Sequence, residues 1–289
     1  MGKGRKAMSE NKRRGAYEFL EADKLPVEFE IPNVEDVPES VIDRLARSLT
    51  RAVYADRKER IAKERAQMEA QLERVYIEHN SQKWLDYRKT GIGGSDAAAI
   101  LGLSPFKTNV EVWEEKTGRR EPADISDKPQ VQYGKQAEDI MFSMFKLNNP
   151  EYKATVDKSV VYRRGFMFAS LDGELEELAT GELGIYEGKT SEIHRRTDLD
   201  KWDKRVPDYY YVQLLHYLIV TGRAFTVLQA QLKLLYLPDP ETVTRQYRFE
   251  RSELLADLKH LYLKEREFWG YVERGERPPL ILPRLGRGA

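Results

Sequence analysis

Apolar positions recur at helical spacing between residues 40 and 79, a stretch that contains no proline or glycine. The recurring residues are Ile42, Leu45, Leu49, Val53, Ile61, Met68, Leu72 and Val75. This period predicts one long helix or a pair of helices. A basic stretch almost without apolar residues (1–15) and an acidic stretch interrupted by prolines (17–38) precede it. We therefore interpret residues 1–80 as a basic tail, a linker and a helical extension.

Helical and strand patterns are mixed in the rest of the chain. Helices are expected from about Ser95, over 110–116, 130–145 and 209–220, and again after Leu254. Strands are expected over 166–172, 184–190, 224–237 and 243–250. This mixture predicts an α/β (α+β) fold in which a mixed central sheet is flanked by helices. We place the main domain at residues 81–277 and expect the Pro-, Arg- and Gly-rich tail (278–289) to be flexible.

The stretch from residue 166 to 190 has the pattern of a β-hairpin, in which one apolar run ends at Asp172 and a second enters Glu187-Gly188-Lys189. Alternate residues of a strand share a face, so Glu187 and Lys189 point the same way and Asp172 can lie level with them. Carboxylates that hold Mg²⁺ beside a lysine suit metal-assisted hydrolysis of a phosphodiester. A structural hairpin closed by an ion pair is the alternative that this spacing leaves open.

A Gly-rich turn that includes Gly93 and Gly94 leads into the Ala-rich helix at Ser95, and Arg88 lies shortly before it. Backbone N–H groups at such a helix start, together with the Ser95 hydroxyl and Arg88, would form a cradle for an anion. An ordinary turn is the alternative, because a single Gly-rich turn is a weak signal.

Glu138 falls beside Ala137 and Met141 on the apolar side of its expected helix, which also carries Met144 and Phe145. A carboxylate on a buried face is costly unless it is paired or bound to a metal. Glu138 is therefore a candidate functional acid, and a glutamate at the edge of the surface is the alternative.

Two other segments carry polar residues with two interpretations each. Gln213 and Tyr217 lie four residues apart on one face of a leucine-rich helix, where packing explains the leucines but not the glutamine. Arg195 and Arg196 belong to a basic segment that would follow a DNA backbone or form a solvated loop. His216 is interpreted as a residue at the core edge, since no second histidine lies at ligand spacing.

The amino-acid composition excludes several classes of function. The chain of 289 residues has no cysteine, which excludes disulfides, Cys-ligated zinc, iron–sulfur clusters and thiol catalysis. Its 48 basic and 48 acidic residues cancel, which argues against bulk electrostatic coating of nucleic acid as the whole function. No apolar run reaches the roughly 20 residues of a membrane span, and the N-terminus lacks a signal peptide. The prediction is a cytoplasmic protein without a membrane partner.

The order of these motifs resembles a known family. Arg88 is followed by GIGGSDAAAILGLSPFKT, YGKQAEDI, SLDGE, EGKT and YYYVQLLHYLIVTG. This series resembles the YqaJ-type viral recombinases, the phage lambda exonuclease-like branch of the PD-(D/E)xK nucleases, and spans about residues 81–277. One departure is that Ser170-Leu171 stand where the family's name leads one to expect a proline before the first acid.

The resemblance implies a restriction-endonuclease-like core and a role for each candidate residue. Asp172 and Glu187 would hold the metals, Lys189 would be the catalytic lysine, and Glu138 would complete the metal site. Arg88 and Ser95 match the pair that receives the 5′ phosphate of the substrate strand. Gln213 and Tyr217 match a Gln-x-x-x-Tyr motif that lines the site.

It also implies an activity and partners. The reaction would be 5′→3′ digestion of one strand of linear duplex DNA, with two Mg²⁺ ions per site and Mn²⁺ as a substitute. The 3′ overhang would serve a single-strand annealing protein in phage-type recombination within a bacterial host. Family members form ring-shaped trimers, so a homo-trimer is expected. The alternatives are an endonuclease or other DNA-processing nuclease of the same superfamily, and a non-catalytic module that binds DNA ends.

Overall fold

The computed structural model describes residues 72–78 and 81–282, together with helical positions at 44, 46–48, 55, 59–63, 66–67 and 70. The chain divides into two compact units, Met1–Ala55 and Asp56–Ala289. The basic tail and the linker predicted over 1–38 lie outside the described residues, and the boundary at residue 80 stays a prediction. The described architecture belongs to the second unit.

A mixed five-stranded sheet forms its centre, with the order β3 (Tyr152–Thr155), β6 (Gly173–Glu177), β7 (Leu183–Ile193), β8 (Phe225–Leu234) and β9 (Glu241–Glu250). Strands β7 and β8 are parallel, and the other neighbours in this sheet are antiparallel. A parallel pair needs a long crossover connection. Helix α6 (Asp208–Thr221) lies in this connection and ends at Gly222, whose φ of 70° is favourable for glycine.

A smaller four-stranded sheet lies beside it, with the order β1 (Glu73–Tyr76), β4 (Val160–Arg164), β5 (Met167–Ala169) and β2 (Ile92–Gly93). The remaining helices are α1 (Gln82–Lys89), α2 (Gly94–Ile100), α3 (Asn109–Lys116), α4 (Pro129–Asn148), α5 (Arg196–Leu199) and α7 (Leu255–Arg274). None of the helices in the described part of the chain is long and apolar enough to cross a membrane.

Helices α4 and α6 cover opposite faces of the central sheet. Phe142 and Phe145 of α4 pack against one set of strand residues, Leu175, Tyr186, Phe225 and Val227. Leu214 of α6 packs against the alternate set on the other face, Ile193, Leu228, Ala230 and Leu232. Because both faces are covered, β8 is buried almost throughout, and Lys233 is its one exposed residue. The predicted mixed sheet flanked by helices is confirmed, with a second sheet that the pattern did not predict.

Three local predictions are wrong, each because a tertiary contact decides the structure. The helix expected up to residue 79 is replaced over Glu73–Tyr76 by strand β1, which pairs with β4. The partner of β7 in the hairpin is Gly173–Glu177, since the apolar run at 167–169 joins the smaller sheet. On α4, Phe142 is buried and Met144 is 48% exposed.

The described part of the C-terminal tail contacts α3. Asn109 donates from Nδ2 to the carbonyl of Pro279 at 2.8 Å, and its Oδ1 accepts the N–H of Ile281 at 2.9 Å. Residues 283–289 lie outside the described residues, and the flexible tail stays a prediction.

Candidate active site

The hairpin of β6 and β7 sets the position of the first acid. Gly173 is paired with Tyr186, so Asp172 comes level with Glu187, as the strand pattern predicts. The Oδ2 atom of Asp172 accepts the backbone N–H of Gly188 at 3.0 Å. The carboxylate is thus tied to the backbone of the strand that carries the other two candidate residues.

Glu187 and Lys189 share the face of β7 that looks onto α6. Lys189 Nζ lies 2.6 Å from Glu187 Oε1, and Glu187 is only 1% exposed. From α6, Gln213 donates through Nε2 to Glu187 Oε1 at 2.9 Å and to the hydroxyl oxygen of Tyr217 at 2.7 Å. This hydrogen bond explains why a glutamine stands among the leucines of α6: Gln213 fixes the orientation of the buried Glu187 carboxylate.

Burial and mutual repulsion govern the charges of this group. Burial, followed by the negative charge of Asp172, raises the pKa of Glu187 to about 8. Burial likewise raises the pKa of Asp172 above its ordinary value. Burial lowers the pKa of Lys189, but the Glu187 and Asp172 carboxylates outweigh it and the net shift is upward. One lysine therefore faces two acids, the buried Glu187 and the half-buried Asp172, and a divalent cation bound there would offset the repulsion between them.

The donor set suits a hard divalent cation. Carboxylate oxygens are the protein ligands that Mg²⁺ favours. No hydrogen-bond donor in the described part of the chain reaches Glu187 Oε2, although this atom is buried. An unpaired buried carboxylate oxygen is costly, and coordination to a metal would remove that cost.

Glu138 is near this group but is not assembled with it. Its charge contributes to raising the pKa values of Asp172 and Glu187. Its own carboxylate is half-buried and lies 3.1 Å from Lys158 Nζ. Among residues 72–78 and 81–282 and the described helical positions before them, no three His, Asp or Glu side chains are grouped closely enough to hold a metal ion together. The three-acid set stays a prediction.

The structure brings together the Arg88 and Ser95 side chains of the predicted anion cradle, but it directs the Gly93 N–H elsewhere. Arg88, at the end of α1, donates from Nη2 to Ser95 Oγ at 3.1 Å, so these two residues do meet. The N–H of Gly93, however, is bonded to Asp96 Oδ2 at 3.1 Å and is not directed at an external anion. A Cβ on Gly94 would lie 2.5 Å from Cε1 of Tyr217, so this glycine allows the cradle to contact the Gln213–Tyr217 pair.

Asp96 is a residue that sequence reasoning missed. It is fully buried and accepts from Lys107 at 2.9 Å and from Lys116 at 2.7 Å. Burial raises the pKa of Asp96, but the charges of Lys116 and Lys107 outweigh it, and the pKa lies well below its ordinary value. Lys116 also donates to the backbone carbonyl of Arg88 at 2.7 Å. One sequence signal was available: an acid in the first turn of a helix whose other residues are mostly alanine and glycine.

The remaining candidates lie apart from this group. Arg195 and Arg196 are on the exposed segment after β7, where Arg195 Nε lies 3.7 Å from Asp198 Oδ2. His216 is buried, with Nδ1 2.8 Å from Glu265 Oε1 and Nε2 2.9 Å from the carbonyl of Phe168. Both ring nitrogens face oxygen acceptors, so His216 forms part of a buried ion pair and is not a free metal ligand.

Comparisons with known proteins agree with the order of these motifs. Residues 83–224 match the YqaJ-like viral recombinase domain. The chain is 32% identical over 208 residues to the uncharacterized protein YqaJ of Bacillus subtilis (strain 168). The match covers 71% of this chain and 60% of the length of that relative.

Solved structures were found as well. An alkaline exonuclease (LHK-Exo) from Laribacter hongkongensis is 16% identical, with a TM-score of 0.47, and the match covers 67% of this chain and 95% of that one. A phage related exonuclease from Haemophilus somnus 129PT is 10% identical, with a TM-score of 0.38, and the match covers 66% of this chain and 99% of that one.

Removing Lys116 should destabilise the fold. Lys116→Met leaves Asp96 with one lysine, so we expect the free energy of unfolding in urea at pH 7 to fall by about 3–5 kcal/mol, the usual cost of removing one partner of a buried ion pair. Lys107→Met is the matched control, because Lys107 pairs with the same carboxylate but its side chain is 21% exposed against 4% for Lys116. Its loss should be smaller, because water reaches part of the Lys107 side chain and the more deeply buried Lys116 stays on Asp96. Equal losses for the two variants would contradict this assignment.

The buried acids should make stability depend on pH. The pKa of Glu187 in the folded protein, about 8, lies above its ordinary value of 4.5. Between these pH values the unfolded chain releases a proton that the folded chain keeps, so the free energy of unfolding should fall as pH rises from 4.5 to 8. Urea denaturation in EDTA across this range measures the slope. Glu187→Gln should flatten it, whereas Glu192→Gln, at a half-exposed acid on the same strand, should not. A slope that Glu187→Gln leaves unchanged would contradict the prediction.

Proposed function

Residues 83–224 belong to the YqaJ-like viral recombinase domain family, and from this membership and the geometry of the site we propose that the protein is a nuclease. The reaction is Mg²⁺-dependent digestion of one strand of linear duplex DNA in the 5′→3′ direction. The product is a 3′ overhang, which a single-strand annealing protein takes up in phage-type recombination. A ring-shaped homo-trimer is the proposed assembly.

One observation carries the proposal: two acids, the half-buried Asp172 and the buried Glu187, face a single lysine, and a buried oxygen of Glu187 has no donor among the described residues. A structural ion pair does not explain this arrangement, because such a pair needs one acid for its lysine and leaves the second acid and its unpaired oxygen without a role. A site that takes up divalent cations does explain it. This favours the catalytic interpretation of the hairpin over the structural one.

Asp172 and Glu187 would hold the metal, and Glu138 would join them on leaving Lys158. When bound, Mg²⁺ would act as a Lewis acid on the scissile phosphate and lower the pKa of attacking water. Mn²⁺ has the same preference for carboxylate and water ligands and is the expected substitute. We propose two ions per site, as in other phosphodiester hydrolases of this type.

Lys189 acts as a charged donor. The two carboxylates hold its pKa above the ordinary lysine value, so it is protonated at neutral pH and cannot accept a proton from water. Its ammonium group instead orients water and stabilises negative charge on the phosphate as the bond to the 3′ oxygen breaks. Gln213 keeps Glu187 in place, and Tyr217 keeps Gln213 in place.

The proposed polarity depends on Arg88 and Ser95. A guanidinium beside a hydroxyl is well suited to a terminal phosphate, because charge-assisted hydrogen bonds to phosphate are strong and directional. Arg88 is half-buried, Ser95 is exposed, and their contact is a single hydrogen bond, so other donor groups of the guanidinium remain to bind a ligand.

The activity can be tested on end-labelled linear duplex and on a closed circle of the same sequence, with Mg²⁺ or EDTA. We expect the linear duplex to be digested only with Mg²⁺ and the circle to be spared. Asp172→Asn should lower the rate by more than about 100-fold, since even residues that only support metal ligands cost 10–100-fold. Asp139→Asn is the matched control, as an exposed acid that also pairs with Lys158. Digestion of the circle would indicate an endonuclease, and no digestion of either DNA would overturn the proposal.

The phosphate anchor predicts a preference for 5′-phosphorylated ends. Arg88→Met should lower kcat/KM on 5′-phosphoryl duplex by roughly 10- to 100-fold, the equivalent of one charged hydrogen bond, and leave 5′-hydroxyl duplex nearly unchanged. Lys89→Met removes the neighbouring cation, which pairs with Glu121, and should have little effect on either substrate. Equal losses on the two substrates would show that Arg88 does not recognise the terminal phosphate.

A further inference from the structure

Phe106 is the most exposed large apolar side chain in the described part of the chain, at 80%. It lies in the loop between α2 and α3, immediately after Pro105. Exposed aromatic rings of this size are unfavourable in water, and they commonly mark a binding surface.

The loop that carries this ring is held in place. The hydroxyl oxygen of the buried Ser104 accepts the N–H of Phe106 at 3.1 Å and that of Lys107 at 3.4 Å. Pro105 restricts the backbone between them. Lys107 is itself anchored to the buried Asp96. The ring is therefore presented by a preorganised turn, which lowers the entropy lost when a ligand binds.

A series of aromatic rings joins Phe106 to the candidate active site. The ring of Phe106 meets Tyr209 edge-on, with centroids 5.8 Å apart, and Tyr209 lies 4.3 Å from Tyr210. The ammonium group of Lys189 lies 5.4 Å from the centre of the Tyr210 ring. The rings come from two elements, the α2–α3 loop and the start of α6. Together they extend from Lys189 to the exposed ring of Phe106.

We propose that this aromatic path, Phe106-Tyr209-Tyr210, is a stacking subsite for the unpaired bases of a DNA strand whose scissile phosphate lies at Lys189. Every base offers an aromatic face once it is unpaired, and stacking on protein rings is tolerant of sequence. A protein partner would need a broader apolar surface than one exposed ring flanked by tyrosines and a lysine. The inference rests on the proposed function, and it adds a binding site that reads the state of the strand end.

The experiment uses the full chain in EDTA, so that binding is measured without hydrolysis. The probe is a linear duplex with 2-aminopurine in a short unpaired segment at its 5′ end, and stacking on a ring quenches its fluorescence. Phe106→Ala should weaken binding by roughly 5- to 100-fold, the range found for loss of one base–aromatic stack. Phe106→Trp should retain binding and quenching. Phe106→Leu, which keeps an apolar side chain without a ring, should behave like the alanine variant.

Leu178→Ala is the matched control. Leu178 is 62% exposed and lies after β6, at the other end of the hairpin from Asp172, so its loss should change neither binding nor quenching. If the wild-type protein cleaves DNA and Phe106→Ala binds and quenches like the wild type, the stacking subsite is overturned and the nuclease proposal stands. Wild-type protein that neither binds nor cleaves DNA overturns both. Full binding by Phe106→Leu would show that apolar contact, and not stacking, holds the strand.

Discussion

The site depends on two acids, Asp172 and the buried Glu187, that share one ammonium group, that of Lys189. Such an arrangement is unfavourable for folding, because a buried acid without a full complement of donors keeps most of its desolvation cost. The surrounding core has to supply the compensating stability. Strand β7 does so by lying between α4 and α6, with a dense aromatic cluster on one face and leucines on the other. Glu187 and Lys189 lie near the middle of β7, and the pairing of β6 with β7 holds Asp172 level with them.

A second buried ionic cluster, Asp96 with Lys107 and Lys116, has the opposite character. Its carboxylate is matched by two lysines and by the N–H of Gly93, so it stabilises where the first cluster destabilises. The two clusters are joined at Gly94, where the missing side chain lets the ring of Tyr217 lie against the start of α2. The balanced cluster thus supports both ends of the connection between α1 and α2: Lys116 donates to the carbonyl of Arg88, and Asp96 accepts the N–H of Gly93, next to the helix that carries Ser95.

The parts that sequence could predict are those that local periodicity decides. Asp172, Glu187 and Lys189 came together because the strand period fixes which side chains share a face, and Gln213 with Tyr217 because a helical period does the same. The cluster around Asp96 could not be predicted, since it joins residues of α2, the following loop and α3 whose relative placement is tertiary. The same limit explains Glu73–Tyr76, where pairing with β4 overrides a helical pattern. It also explains α4, where the side that packs on the sheet carries Phe142 and leaves Met144 exposed. The periodicity of a helix or strand determines which face of that element a residue occupies, but not which residues of other elements it contacts.

The pairing of Glu138 with Lys158 bears on how the site would take up a metal. Lys158 is 48% exposed, so its ion pair is of the surface kind that contributes only about 0–1 kcal/mol. Breaking the Glu138–Lys158 ion pair, so that Glu138 could bind a divalent ion instead, would therefore cost little free energy. The gain is larger, because the ion would neutralise Asp172 and Glu187, whose charges burial and repulsion both disfavour. A weak ion pair at the helix, together with two acids whose charges are disfavoured, would favour uptake of the proposed cation.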